Sequence, residues 1–152
     1  MMNKEQKKDY IKEMTSNFEK SESVLVAHYQ GLTVKQLDDL RAKMREHGII
    51  FKVTKNRITK LALEKTKCKD LTNLFAGPTA VALSDDAIIS AKILTNFSKE
   101  NNNLKILGGI MGNDILDVAG VANVATLPTL DEARAKIVGI LRSPAQKIAS
   151  IL

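Results

Sequence analysis

Apolar residues at Tyr10, Ile11, Met14 and Phe18 fall three or four positions apart and predict a first helix over roughly residues 4–20. The run SVLVAHY at 23–29 is continuously apolar and of strand length, which predicts a buried strand, ended by Gly31. Thr33 and Gln36 form a T-x-x-Q capping box that opens a second helix. Val34, Leu37, Leu40 and Met44 supply its buried stripe, and Gly48 stands where a C-terminal cap is wanted. Residues 49–53 (IIFKV) predict a second strand, and Thr54 is positioned to cap a third helix running to about Lys67.

The alternation then repeats. GPTAVAL at 77–83 reads as a turn followed by a third strand, and Ser84, with Asp85 and Asp86 in the first turn, starts a fourth helix carrying Ile88, Ile89, Leu94 and Phe97. Asn101–Asn103 end it. LKILGGIMG at 104–112 predicts a fourth strand whose glycines point to a bulge. A short helix is expected near 114–120, then a small-residue hinge over about 119–128, and Thr129 with Glu132 makes a second capping box opening a terminal helical segment.

Strand, helix, strand, twice over, is the order of an α+β protein of the ferredoxin-like, split β-α-β class, here with extra helices before the first strand and between the halves. The division expected is a globular domain over residues 1–124 and a hinge with a C-terminal helix over 125–152.

The 152 residues hold 44% hydrophobic and 26% charged positions, as a folded domain does, but only 4% aromatics and no Trp, so the core must come from Ile, Leu, Val and Ala. The lone Cys68 excludes an internal disulfide framework and a cysteine zinc cage. With no apolar run near the roughly 20 residues that span a bilayer, and no secretory signal at the start, a soluble cytoplasmic protein is expected.

Charge changes the picture more. The net is +6, and residues 41–70 alone hold ten bases (Arg41, Lys43, Arg45, Lys52, Lys55, Arg57, Lys60, Lys65, Lys67, Lys69) and three acids, against thirteen bases and fourteen acids elsewhere. A basic block of +7 on a near-neutral body is the footprint of a polyanion binder, unless it is only a solvated helix face.

Two places are candidates for function. In a split β-α-β unit the first two strands are parallel, so their C-terminal ends share one edge and bring Gln30, Gly31 and Thr33 near Thr54, Lys55 and Asn56, with two helix N-termini aimed at the same region. On the third helix Asn56, Arg57, Lys60 and Lys67 are expected on one face and Ile58, Leu61 and Ala62 on the buried one. The plainer reading, that Gly31 only turns the chain and Thr33 only caps a helix, is compatible with this. The second place is an internal repeat: KIVGIL at 136–141 returns as KIASIL at 147–152. Eleven residues are about three helical turns, so Ile137, Ile140 and Leu141 recur on nearly the same face as Ile148, Ile151 and Leu152. Two similar partners docking in series would use such a helix; alternatively it packs back on its own domain, with a break or kink at Pro144.

No catalytic constellation emerges. There is no phosphate-binding P-loop, G-G-x-x-G at 108–112 is too loose for a dinucleotide fingerprint, His28 and His47 read as structural, and Cys68 has no identifiable base. No enzyme, metal or cofactor is expected.

Four segments, YQGLTVKQLDDLRAKMREHG (29–48), FKVTKNRITKLA (51–62), GPTAVALS (77–84) and ATLPTLDEARAKIVGIL (125–141), resemble in sequence and order the bacterial large-subunit ribosomal protein L-ten family, the base of the lateral stalk. The resemblance implies a structural constituent of the large subunit, located in the cytoplasm on the ribosome. Its N-terminal domain would bind large-subunit ribosomal RNA at the GTPase-associated region beside protein L-eleven. Its C-terminal helix would anchor dimers of the acidic stalk protein L-seven/L-twelve, which recruits translational GTPases. Carried over, the RNA surface would be Gly31, Thr33, Lys52, Lys55, Asn56, Arg57 and Lys60, joined by Arg41 and Arg45 of the same basic block. The stalk surface would be Ile137, Val138, Ile140, Leu141, Ile148, Ile151 and Leu152. The family often has Arg where this chain has Gln30, and its chains usually continue past Leu152, so the docking helix is expected to be incomplete here. The alternative function is a free RNA-binding repressor acting on its own messenger RNA through the same basic surface.

Overall fold

The computed structural model describes residues 4–64, 66, 69–112 and 114–151, and all of their side chains except those of Lys4, Lys69 and residues 143–151. Helix α1 (Lys4–Lys20) leads into strand β1 (Ser23–His28), α2 (Val34–Glu46), β2 (Ile50–Val53) and α3 (Asn56–Leu63). A 3-10 turn (Lys69–Leu74) precedes β3 (Thr79–Ser84), α4 (Ala87–Glu100), β4 (Lys105–Met111), β5 (Asp114–Asp117), α5 (Val118–Thr126) and α6 (Leu130–Ile151).

The five strands form one sheet in the order β2-β3-β1-β4-β5, every neighbour antiparallel. β1 and β2 both oppose β3, so they run parallel to each other with β3 between them. That is the split β-α-β arrangement the element order predicted, in an α+β protein.

Both faces of the sheet are covered. Leu25, Ala27, Ala80, Ala82 and Phe51 pack against Leu40 and Met44 of α2, Leu94 and Phe97 of α4, and Val121 and Val124 of α5. On the other face Val24, Val26, Val81 and Leu83 meet Met14 and Phe18 of α1, Ala62 and Leu63 of α3, and Leu71 and Phe75. Successive strand residues point to opposite faces, so β1 and β3 must be apolar at nearly every position, which is why their sequences show no polar alternation.

The bulge foreseen from the glycines of β4 is present: pairing with β1 slips between Val26, opposite Gly108, and Ala27, opposite Ile106. A Cβ on Gly109 would lie 2.5 Å from the Val24 carbonyl oxygen, so only glycine lets the strands close there.

Several expectations are corrected. Residues 114–117 are not the start of a helix but strand β5, turned back on β4 at Gly112. The small-residue stretch expected as a hinge is largely helix α5, held by the burial of Val121 and Val124 against the core; the non-helical link is only residues 127–129. The third helix stops at Leu63, short of Lys67. Its buried side is Thr59, Ala62 and Leu63, whereas Leu61 is 51% exposed. Val34, placed on the buried stripe of α2, is exposed. The fourth helix is capped by Asp86, whose carboxylate accepts from the backbone N–H groups of Ile88 and Ile89, and Ser84 is instead the last residue of β3. No break occurs at Pro144: α6 runs through it to Ile151.

Candidate nucleic-acid interface and C-terminal helix

The C-terminal ends of β1 and β2 and the starts of β3 and β4 lie along one edge of the sheet, as antiparallel pairing of His28 with Thr79 and with Lys105 requires. A chain of hydrogen bonds ties this edge together. The Asn56 amide donates to the Gly77 carbonyl at 2.7 Å and accepts from the Thr79 hydroxyl at 2.5 Å, joining the start of α3 to the start of β3. His28 Nδ1 lies 3.0 Å from the Pro78 carbonyl oxygen, and the Asn103 amide donates to the Gly31 carbonyl at 2.7 Å. Gly31 has φ +90°, and a Cβ there would lie 3.3 Å from the Asn103 side chain, so the loop suits glycine on two counts.

The two helix N-termini at this edge differ. At α2 the expected capping box has formed: Thr33 accepts from the Gln36 backbone N–H, and the Gln36 side chain accepts from the Thr33 N–H. Those donors are used internally. At α3 the cap position is Lys55, not Thr54, and no side chain caps the helix. With Lys55, Arg57 and Lys60 around it, this end carries positive charge and N–H groups that no side chain caps, the chemistry an anion can use. Beside it opens a cleft of about 620 Å³, lined by Thr54, Lys55, Asn56, Arg57, Ile58, Leu61, Gly77 and, from α1, Lys7.

The structure therefore brings Gly31, Thr33, Lys55 and Asn56 to one edge and continues it along α3 with Arg57 and Lys60. Lys52 stands apart, its ammonium 2.5 Å from the Glu13 carboxylate on the face covered by α1. Burial pushes the nearby Tyr10 phenol up from its ordinary value, against the opposing pull of Lys52. Arg41 and Arg45 lie on α2, about 12 and 18 Å along the helix from Thr33, and Arg41 is paired with Asp38 at 3.3 Å. Lys65, Lys67 and Cys68 lie outside the described residues. Lys7, Gly77, Asn103 and Lys105 were missed as parts of this edge. Nothing local marks them, because helix packing and strand register bring them there.

Helix α6 opens with its predicted capping box, Thr129 N–H donating to the Glu132 carboxylate at 3.0 Å. The same carboxylate lies 2.8 Å from Lys92 on α4. The Lys92 hydrogen bond, then the Thr129 one, hold the Glu132 carboxyl below its ordinary value. Farther along, Ile137, Val138, Ile140 and Leu141 are 60, 53, 71 and 74% exposed. The side chains of Ile148 and Ile151, and Leu152 altogether, lie outside the described residues.

The family model for ribosomal protein L10 matches residues 2–99. The chain is 70% identical over 151 residues to the large ribosomal subunit protein uL10 of Pelagibacter ubique, covering 99% of this chain and 91% of that one. The chain belongs to the ribosomal protein L10 family. Other relatives of the same name include those of Rhodospirillum rubrum (45% identity, 99% of this chain, 87% of that one) and Paramagnetospirillum magneticum (48%, 97% and 86%). L10 proteins are structural and not enzymatic, as expected from the sequence, and their place is the cytoplasmic ribosome. No described helix is long and apolar enough to cross a membrane.

Proposed function

We propose that this structural protein of the large ribosomal subunit holds large-subunit ribosomal RNA at the GTPase-associated region through the sheet edge and α3, beside protein L-eleven, and carries dimers of the acidic stalk protein L-seven/L-twelve on α6. Residues 1–124 form the RNA-holding unit in this reading, and residues 125–152 the link and docking helix. The observation that carries it is the apolar stripe of α6: four large apolar side chains, Ile137 to Leu141, stand more than half exposed on a helix whose polar first turn is tied down. A helix packing on its own domain would bury that stripe. A partner helix or groove reading positions i, i+3 and i+4 would cover it instead. The repeat eleven residues on rotates by only about 20° and advances about 16 Å, which suits a second equivalent partner. For the RNA, support comes from the uncapped N-terminus of α3 with Lys55, Arg57 and Lys60 beside it.

The native mass of the chain co-expressed with its acidic stalk protein tests the docking half: complexes holding one or two dimers are expected, and an unaccompanied monomer sinks it. Binding of a transcribed GTPase-associated-region fragment, with its salt dependence, tests the other half. Affinity that does not fall with salt would sink the phosphate-binding edge.

A further inference from the structure

We propose that the cleft beside the N-terminus of α3 receives an unstacked nucleobase, so that this edge reads a base as well as holding phosphates; the proposal rests on the RNA-binding reading of the same edge. Thr54 lines the cleft and is 8% exposed, and its hydroxyl has no hydrogen-bond partner. Among the described residues only Thr54 and Thr95 leave a buried side-chain oxygen or nitrogen without one. Such a group costs free energy until something satisfies it, and α3 does not, since its cap falls on Lys55.

The walls supply the second argument. Ile58 is half-buried and Leu61 is 51% exposed on the cleft side of a helix whose packed residues are Thr59, Ala62 and Leu63. A phosphate needs cations and N–H groups but no apolar wall. A nucleobase has flat apolar faces and a polar edge, and it arrives flanked by phosphates. Leu61 and Ile58 match the faces, the Thr54 hydroxyl matches the edge, and Lys55 and Arg57 at the rim match the flanking charge. The guanidinium plane of Arg57 also offers a stacking surface. The Thr54 oxygen is itself buried, and side-chain rotamer changes on binding are common; a switch between staggered χ1 wells is what would turn it to the guest. The cleft volume of about 620 Å³ lies within the range of small-ligand sites.

The test uses the full chain, the transcribed GTPase-associated-region fragment, and the variants Thr54→Val and Leu61→Ser. Thr54→Val keeps the shape and deletes the orphan hydroxyl. It is expected to melt no lower than the parent while binding RNA about 5- to 10-fold more weakly. Leu61→Ser should weaken binding comparably. In both, the slope of log affinity against log salt stays at the parent value, because no cation is lost. NMR titration with AMP, GMP, CMP and UMP at millimolar concentration should move the amides of Thr54, Arg57 and Leu61 with at least one nucleotide, and farther than ribose 5-phosphate does.

Parental RNA affinity in Thr54→Val, a lowered melting temperature, silence toward all four nucleotides, or ribose 5-phosphate matching every one of them would each overturn the base site. The RNA reading survives those results if Lys55→Ala and Arg57→Ala still flatten the salt slope. It fails separately if the parent chain does not bind the fragment.

Discussion

Along the sheet edge, hydrogen bonds tie Asn56 of α3 to Gly77 and Thr79 at the start of β3, and Asn103, before β4, to Gly31 in the loop after β1. Along α6, the side chains from Ile137 to Leu141 stand in solvent, and the helix meets the domain at its first turn through Glu132 and Lys92. The first region binds most of its polar side chains to one another or to backbone, leaves the Thr54 hydroxyl and the start of α3 without a side-chain partner, and sets its cations on a fixed frame. The second leaves apolar area exposed on a helix held at one end. A folded RNA presents phosphates at fixed spacing, so the groups that meet it profit from preorganisation. A docking helix needs the reverse, an apolar face that its own domain does not cover and whose burial drives association.

The largest effect that would break this contrast comes from charging the exposed stripe. Ile140→Asp with Leu141→Asp is expected to remove stalk dimers from the complex, read by native mass. RNA binding should be intact, with melting close to the parent's, since surface substitutions usually stay within about 0.5 kcal/mol. Loss of RNA binding or of fold in that variant would mean the helix packs on the domain. Next, Lys55, Arg57 and Lys60 changed together to Ala should cost about two orders of magnitude in RNA affinity and lower the salt slope by about three units if each meets one phosphate. Stalk binding should not change, and an unchanged slope would remove α3 from the RNA surface.

The frame itself is probed by Asn56→Ala. This removes two hydrogen bonds and strands the buried Thr79 hydroxyl, so denaturant unfolding should show about 1–3 kcal/mol less stability. No loss would mean the edge is not held as described. The smallest effect concerns the tether. The folded-state pKa of Glu132 is depressed, so the Lys92–Glu132–Thr129 contact stabilises fully above the ordinary carboxylate value of 4.5 and is lost as pH falls through the lower folded value. NMR of the Glu132 carboxyl should titrate below 4.5, with amide shifts at Thr129 and the start of α6 following it. In Lys92→Ala the midpoint should move back up.

Local signals in the sequence settled much of the fold. The capping boxes at Thr33–Gln36 and Thr129–Glu132, the glycine bulge of β4 and the repeated strand–helix–strand order all appear in the structure. They were legible because each lies within a few residues of chain. Where the reading went astray, packing decided. Residues 114–117 became a strand because β4 offered them a hairpin partner, and α5 became a packed helix because Val121 and Val124 fill the core beside α4. Thr54 and Ser84 looked like helix caps, yet the caps fell on Lys55 and Asp86, since a cap depends on where the last strand residue leaves the chain pointing.

The sequence by itself determined the charge block, the terminal apolar repeat and the α+β class, since these depend on composition and on periods of 2 and 3.6 residues. Tertiary structure alone decided which members of the charge block stand together. Asn56 meets Gly77 and Thr79, with Lys55 and Arg57 lining the same cleft as Gly77, while Lys52 is drawn away to Glu13 on α1. Chain neighbours separate and distant residues meet because the sheet order puts β3 between β1 and β2, a choice made by burying both faces of the sheet at once and by no residue alone.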